Sequence, residues 1–417
     1  MKVKVAILFS ILGILLGACQ PKTPIEGQLQ EVLDKGIEQN EIHGVSVTII
    51  DPDGEIWNGV SGISHDSVPM APHMLFAIGS VTKNFVAALT LSLAEDGILS
   101  LEDPISDWLP PYPYIDGNIT IRQLLNHTSG LYMFWDNQQI WDDLIANRTK
   151  TFTPEEVLGY LKEPYFPPGE GWRYSNTNYL LLAMIINTAA GSNLSTELKN
   201  RLFQPLGFTE FYLSQEESIP AHQAHIYGDN WDGGPVRDVT FLPRTSHESI
   251  TYGSAGIFTT SENLARWSHA LFNGEILQGQ SMEEMLSFVT FTPVSNMKAY
   301  GLGVQEFTNK ISYGEYAIGH AGGNIGTTTY MLYLPDHNVS IVVMINAFPN
   351  DGAEEITKGL EKIILKDLGA FNLISVASAN PSYFIPAGVG LAFWVIVIIR
   401  KMVRKQSPQP KPNQNQT

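Results

Sequence analysis

Phe76-Ala77-Ile78-Gly79-Ser80-Val81-Thr82-Lys83-Asn84-Phe85 joins an apolar, strand-like run to a helix through one glycine. Beyond Lys83 come Val86, Leu89, Leu91 and Leu93 with alanines between them, and Asp96-Gly97 closes the run. The pattern predicts a buried helix stopped at Gly97. Ser80 falls on its first turn, where backbone N–H groups point outward and the dipole is positive. Lys83, three residues on, shares that face, roughly 5–6 Å away between Cβ atoms. A serine hydroxyl is a poor nucleophile until a base takes its proton. Partial burial and the positive helix end push an ammonium toward the neutral amine that such a base must be. Lysine is rarely buried without a reason, so Ser80 and Lys83 form the first candidate pair.

Two other clusters carry the same kind of chemistry. In Pro167-Pro168-Gly169-Glu170-Gly171-Trp172-Arg173-Tyr174-Ser175-Asn176, a Gly/Pro turn delivers Tyr174 and Asn176 just ahead of an apolar helix over 179–189. A phenol donates or accepts a proton when a nearby cation favours its phenolate, and an asparagine amide does both jobs in hydrogen bonding. In Ile318-Gly319-His320-Ala321-Gly322-Gly323-Asn324, the small residues after His320 let a substrate backbone approach a strand closely. Two β-branched runs follow, 327–334 and 339–345, joined by Pro335-Asp336-His337-Asn338 as a hairpin.

Taken together, Ser80/Lys83, Tyr174/Asn176 and His320-Ala321-Gly322 resemble, in order, the three motifs of the penicillin-recognising serine hydrolases: class C β-lactamases, related D,D-carboxypeptidases, and their esterase and D-aminopeptidase cousins. Ile121–Leu131, Ser254–Thr260 and Tyr300–Gly303 look like that family too, and the likeness covers about 25–369. The resemblance implies Ser80 as the acylated nucleophile, Lys83 as its base, and Tyr174 as base or proton shuttle. It implies Asn176 orienting the substrate amide and His320 positioning the substrate carboxylate or relaying protons to Tyr174, with Gly322 completing the triplet and the N–H groups of Ser80 and Gly323 holding the oxyanion. His320 stands where the β-lactamases have lysine, which leans the resemblance toward peptide or ester substrates, and the activity it implies is that of a D,D-carboxypeptidase or a D-peptidase/esterase-like enzyme. His127 and Arg173 are read as structural.

The implied architecture is α+β, the β-lactamase/D,D-peptidase-like fold. A central antiparallel sheet is built from N- and C-terminal segments, with helices on both faces and a mainly helical insertion over 80–320. The first hairpin is expected at Gly44–Ile50 and Glu55–Gly62, and the site at the seam between sheet and insertion. Residues 215–250 are expected to help wall the pocket.

The 417 residues, 44% hydrophobic, suffice for one large domain or two ordinary ones. Net charge is −17, and both ends are basic, so the interior is more acidic still. Such a surface repels phosphate backbones, and nucleic-acid binding is not expected. The substrate expected is a small molecule or peptide, with no cofactor. No metal is expected, since His222-Gln223-Ala224-His225 lacks a third ligand. An α/β-hydrolase would need G-x-S-x-G, which does not occur.

The single cysteine, Cys19, follows a basic start and an apolar run, and Leu16-Gly17-Ala18-Cys19 resembles a bacterial lipobox. Near the other end, Tyr383–Ile399 is an uncharged, largely apolar run followed by Arg400-Lys401 and Arg404-Lys405. The organisation expected is a lipoprotein-type signal peptide (1–18), a tether (19–24) with a lipidated Cys19, and a catalytic domain (25–369). A spacer (370–383), a transmembrane helix (384–404) and a cytoplasmic tail (405–417) complete it. The catalytic domain would lie outside the cytoplasm at a membrane. A class C-type β-lactamase and a catalytically silent penicillin-binding-like receptor are the alternatives; the second would typically lack the serine, lysine or tyrosine.

Overall fold

A computed structural model describes residues 25–229 and 231–370. The expected signal peptide, Cys19, nearly all of the spacer, the 384–404 segment and the tail lie outside those residues. Among the described residues no helix is long and apolar enough to cross a membrane.

Helix α1 (Ile25–Gln39) leads into strands β1 (Gly44–Ile50), β2 (Ile56–His65) and the short β3 (Val68–Pro69). The β1–β2 turn is held by Asp51, whose Oδ1 accepts from the N–H groups of Asp53 and Glu55 at 2.9 Å each. Helix α2 (Thr82–Glu95), helix α3 (Asn176–Ala190) and helix α4 (Ser261–Phe272) belong to the insertion. The chain then re-enters the sheet through β4 (Val289–Val294), β5 (Met297–Tyr300), β6 (Gln305–Phe307), β7 (Ile318–Asn324), β8 (Thr327–Leu334) and β9 (Val339–Ile345), and α5 (Gly352–Asp367) closes the domain. The order across the nine-stranded sheet is β3-β2-β1-β9-β8-β7-β6-β5-β4, with antiparallel neighbours throughout. First and last segments therefore pair as expected, Val45 opposite Ile345 through Ile50 opposite Ser340.

The helical insertion is shorter than the 80–320 expected. Its last part, from Val289, adds three strands to the sheet edge. These strands are short, β4 contains Pro293, and most of β4 is exposed, so they leave little apolar pattern in the sequence.

Both sheet faces are covered, which explains why β9 is apolar almost throughout. Val45, Val47 and Ile49 of β1 join one core with α1 and α5. On the other face Ser46 and Thr48 meet the Ser261 hydroxyl of α4 at 2.9 and 3.0 Å. A second, larger core surrounds α2 and α3. Both helices are buried nearly all round, as their unbroken apolar sequences require. Helix α2 ends at Asp96, with Gly97 at φ +68 donating to Ala94 and Ile98 donating to Leu93.

Candidate active site

Residues Gly79–Val81 form one tight 3₁₀ turn that runs into α2, so Ser80 sits just before the α-helix proper. The turn presses on β7 at backbone distance. A Cβ on Gly322 would fall 2.1 Å from the Ile78 carbonyl oxygen, and one on Gly79, at φ +54, 2.5 Å from that of Gly323. Gly322 thus admits the chain's own 78–80 segment, where the sequence suggests a substrate backbone. Thr327 Oγ1 adds a donor to the Ala77 carbonyl at 2.8 Å. The Ala321 N–H points at Gln305 on the β6 side, 3.0 Å away. Strand alternation turns the Gly323 N–H to that same edge, beyond the end of β6.

Lys83 is fully buried. Its Nζ lies 3.0 Å from Ser80 Oγ and donates to the Ser254 carbonyl at 2.8 Å. Burial without a carboxylate partner holds this ammonium well below its ordinary range, toward the neutral amine. Ser254 is held in turn by its own hydroxyl, which donates to Thr251 at 2.9 Å.

Tyr174 arrives from the Gly/Pro turn, and Lys83 Nζ stands 5.0 Å from its ring centroid. Its hydroxyl interacts with that of Ser80, but burial dominates and pushes the phenol above its ordinary range. The phenolate that a nearby cation could favour is therefore not favoured here, and the group stands as a phenol beside an amine. Asn176, two residues on at the start of α3, donates its backbone N–H to the Met133 sulfur at 3.0 Å, and its Oδ1 is buried with no hydrogen-bond partner among the described residues.

His320 does not face the cleft. Its ring is fully buried, with Nδ1 donating to the Ala321 carbonyl at 2.7 Å and Nε2 accepting from the Tyr300 hydroxyl at 2.9 Å. Burial, with Lys83 nearby, lowers its pKa to about 3. With both nitrogens engaged inside the protein, the ring offers no free cation to a substrate carboxylate, and its contact with Tyr300 places it behind the Tyr174 cluster.

Three participants were underrated in the sequence. Tyr300 is buried between His320 and Tyr179, and the Tyr179 hydroxyl donates to the Leu125 carbonyl at 2.9 Å. His127, expected only to shape a turn, does so at φ +64, and its ring also stands 4.4 Å from that of Tyr174. Its Nδ1 accepts from Asn178 at 2.9 Å and the Ser175 N–H at 3.3 Å. The Ser254 carbonyl is the third. All three lie in stretches whose family likeness was visible, but only contact geometry assigns what they touch. Arg173 behaves as read, pairing with Asp136 at 2.9 Å.

From Tyr174 a cleft of about 1040 Å³ opens between the 165–174 turn and the β4–β5 hairpin. Trp172 stacks on Phe291 across it, centroids 3.6 Å apart and rings 11° from parallel. The 215–250 loop, expected to wall the pocket, supplies none of this cleft's lining.

A family model described as Beta-lactamase matches residues 29–365. Penicillin-binding protein 4* of Bacillus subtilis is 31% identical over 312 residues, covering 71% of this chain and 66% of that protein. This chain spans 54 to 66% of the length of the curated relatives it first matches. Among solved structures, the D-amino acid amidase from Ochrobactrum anthropi complexed with D-phenylalanine superposes with a TM-score of 0.73 at 26% identity, covering 84% of this chain and 100% of that one. A D-stereospecific amidohydrolase from Streptomyces gives 0.71 at 28% identity, covering 80% and 97%.

Proposed function

The chain belongs to the Beta-lactamase family, and we propose from that premise that it is a serine hydrolase working through an acyl-enzyme on Ser80. The observation that carries the reading is the 3.0 Å contact between Ser80 Oγ and a buried, uncompensated Lys83 amine. Lys83 takes the serine proton as Oγ bonds to the substrate carbonyl carbon. The oxyanion is held by the N–H groups of Ser80 and Gly323, commonly the largest catalytic contribution. Tyr174, a neutral phenol, passes the proton to the leaving nitrogen or oxygen as that bond breaks. Water then repeats the sequence in reverse roles and releases the acid. Asn176 Oδ1 receives the N–H of the acyl portion. Gly322 serves the site by its lack of a side chain, and His320 acts as a positioning residue behind Tyr300.

The substrates proposed are peptide, amide or ester bonds, with a D-configured acyl residue. The named activities of the D-amino acid amidase and the D-stereospecific amidohydrolase support that preference. Hydrolysis of β-lactams is the second reading, favoured by the penicillin-binding relative. On sequence grounds alone, the domain is proposed to be tethered outside the cytoplasm through Cys19 and 384–404; loss of palmitate labelling in Cys19→Ser is the expected result.

A fluorophosphonate probe tests the mechanism. Peptide mapping is expected to find the adduct on Ser80, with labelling at least 10²-fold slower in Lys83→Ala. An adduct elsewhere, or unchanged labelling in that variant, refutes it.

A further inference from the structure

A general acid acts only within hydrogen-bond reach of the atom it protonates. The leaving group of a Ser80 acylation therefore lies beside Tyr174, where the cleft of about 1040 Å³ opens. That volume lies just above the ~300–1,000 Å³ typical of pockets for drug-sized ligands, so the leaving side has room for more than one small residue. The Phe348 ring packs so near Gly323 that a Cβ there would fall 2.3 Å from it.

Aromatic residues form much of the cleft's lining. The Trp172–Phe291 stack bridges its two walls, with Tyr165 and Phe166 on the Trp172 side. Trp172 Nε1 is buried and has no hydrogen-bond partner among the described residues, so it is a donor available to a carbonyl oxygen.

Its charges are few. Among the described residues lining it, only Glu170 and Arg173 are charged. Arg173 is engaged by Asp136 at 2.9 Å, and its guanidinium lies over the Tyr165 ring at 3.8 Å. His320 has both nitrogens committed inside the protein, and Lys83 is enclosed by Ser80 and Ser254. A carboxylate leaving water for such a surface needs a cation or donors to replace its hydration, and the lining offers no uncommitted cation.

We infer, building on the hydrolase reading above, that this site favours uncharged leaving groups bearing an aromatic or apolar residue, and disfavours releasing a terminal amino acid with a free carboxylate. Amides, internal peptide bonds and esters fit; single-residue carboxypeptidase action does not. In the acylation step Ser80 Oγ bonds to the carbonyl carbon, the C–N or C–O bond breaks, and the serine proton departs on the neutral leaving group.

Three substrates with one N-acetyl-D-alanyl acyl part test this on the full-length protein, with D-alanine, D-alaninamide or D-phenylalaninamide as leaving group. The expected order of kcat/KM is D-phenylalaninamide above D-alaninamide above D-alanine, with the free acid at least about tenfold below its amide. Trp172→Ala is expected to bring the ratio between the two amides toward one through KM. Phe291→Ala, on the facing hairpin, is expected to do the same if Trp172→Ala fails to fold. A free acid cleaved as well as its amide overturns the inference; loss of free-acid turnover alone in Arg173→Ala would then mark Arg173 as the anchor. When a fluorophosphonate labels Ser80, such a result leaves the hydrolase reading standing. A labelled enzyme that cleaves none of the three overturns the inference as well. Failure of both labelling and turnover removes the two together.

Discussion

The seam around Ser80 and the cleft beside Tyr174 share one tyrosine and are built on different terms. At the seam, backbone meets backbone. Gly79 and Gly322 leave no room for a side chain between the 3₁₀ turn and β7, and Lys83 is fixed by two contacts of 3.0 and 2.8 Å. In the cleft, side chain meets side chain. Trp172 and Phe291 stack between a surface turn and an edge hairpin, both partly exposed to solvent. Chemistry that tolerates little displacement is held by main chain, and selectivity is left to side chains that can change without disturbing it.

The largest effect that would break this contrast is at Lys83. Lys83→Met is expected to slow acylation by about 10³-fold or more while stabilising the fold by about 0.5–2 kcal/mol, because a buried base without a counterion is removed. The pH dependence has a definite sign. In the folded protein Lys83 holds its proton less tightly than at its ordinary value of 10.5, so between the lowered pKa and 10.5 the unfolded chain binds more protons. Stability due to this group therefore rises with pH across that window. Chemical denaturation at several pH values is expected to show the slope in the wild type and its loss in Lys83→Met.

Gly322→Ala comes next. Its Cβ would lie 2.1 Å from a backbone oxygen and 3.0 Å from the Ser80 nitrogen, so strand and turn must part. A loss of about 1–3 kcal/mol in stability and of about 10²-fold in acylation is expected. Near-normal turnover would mean that the seam is softer than its spacing implies.

Tyr300→Phe removes the donor to His320 Nε2 and strands a buried acceptor. About 1–3 kcal/mol is expected to be lost, with part restored in the double variant Tyr300→Phe/His320→Phe, which removes both polar partners. Strict additivity in urea unfolding would deny the coupling. The smallest effect belongs to the cleft rim. Arg173→Ala breaks a half-exposed pair with Asp136 and is expected to cost about 0.2–1 kcal/mol.

The same contrast separates what the sequence tells from what it hides. The seam is written in residue types that serve few other purposes: a lysine inside an apolar helix, a glycine before the serine, a run of small residues after His320. The sheet formed by the two ends was legible for a related reason, since β9 and β8 are long, β-branched and buried. The strands β4–β6 were not, because an edge strand containing Pro293 and facing solvent has no strong pattern. His320 was assigned to the substrate because sequence order places it at the site; it does not say which way the ring points. Only the contact with Tyr300, twenty residues earlier, turns it inward. Trp172 and Phe291 are far apart in the chain, and nothing in either neighbourhood announces their stack.

The account rests on an amine that is neutral when the serine needs it. With ¹³C-labelled lysine, the Lys83 Cε resonance, assigned by its loss in Lys83→Met, can be followed through a pH titration. The predicted result is a midpoint well below 10.5, with the rate of Ser80 labelling rising along the same curve. A midpoint at or above 10.5, or a labelling rate indifferent to it, would contradict the mechanism at its base.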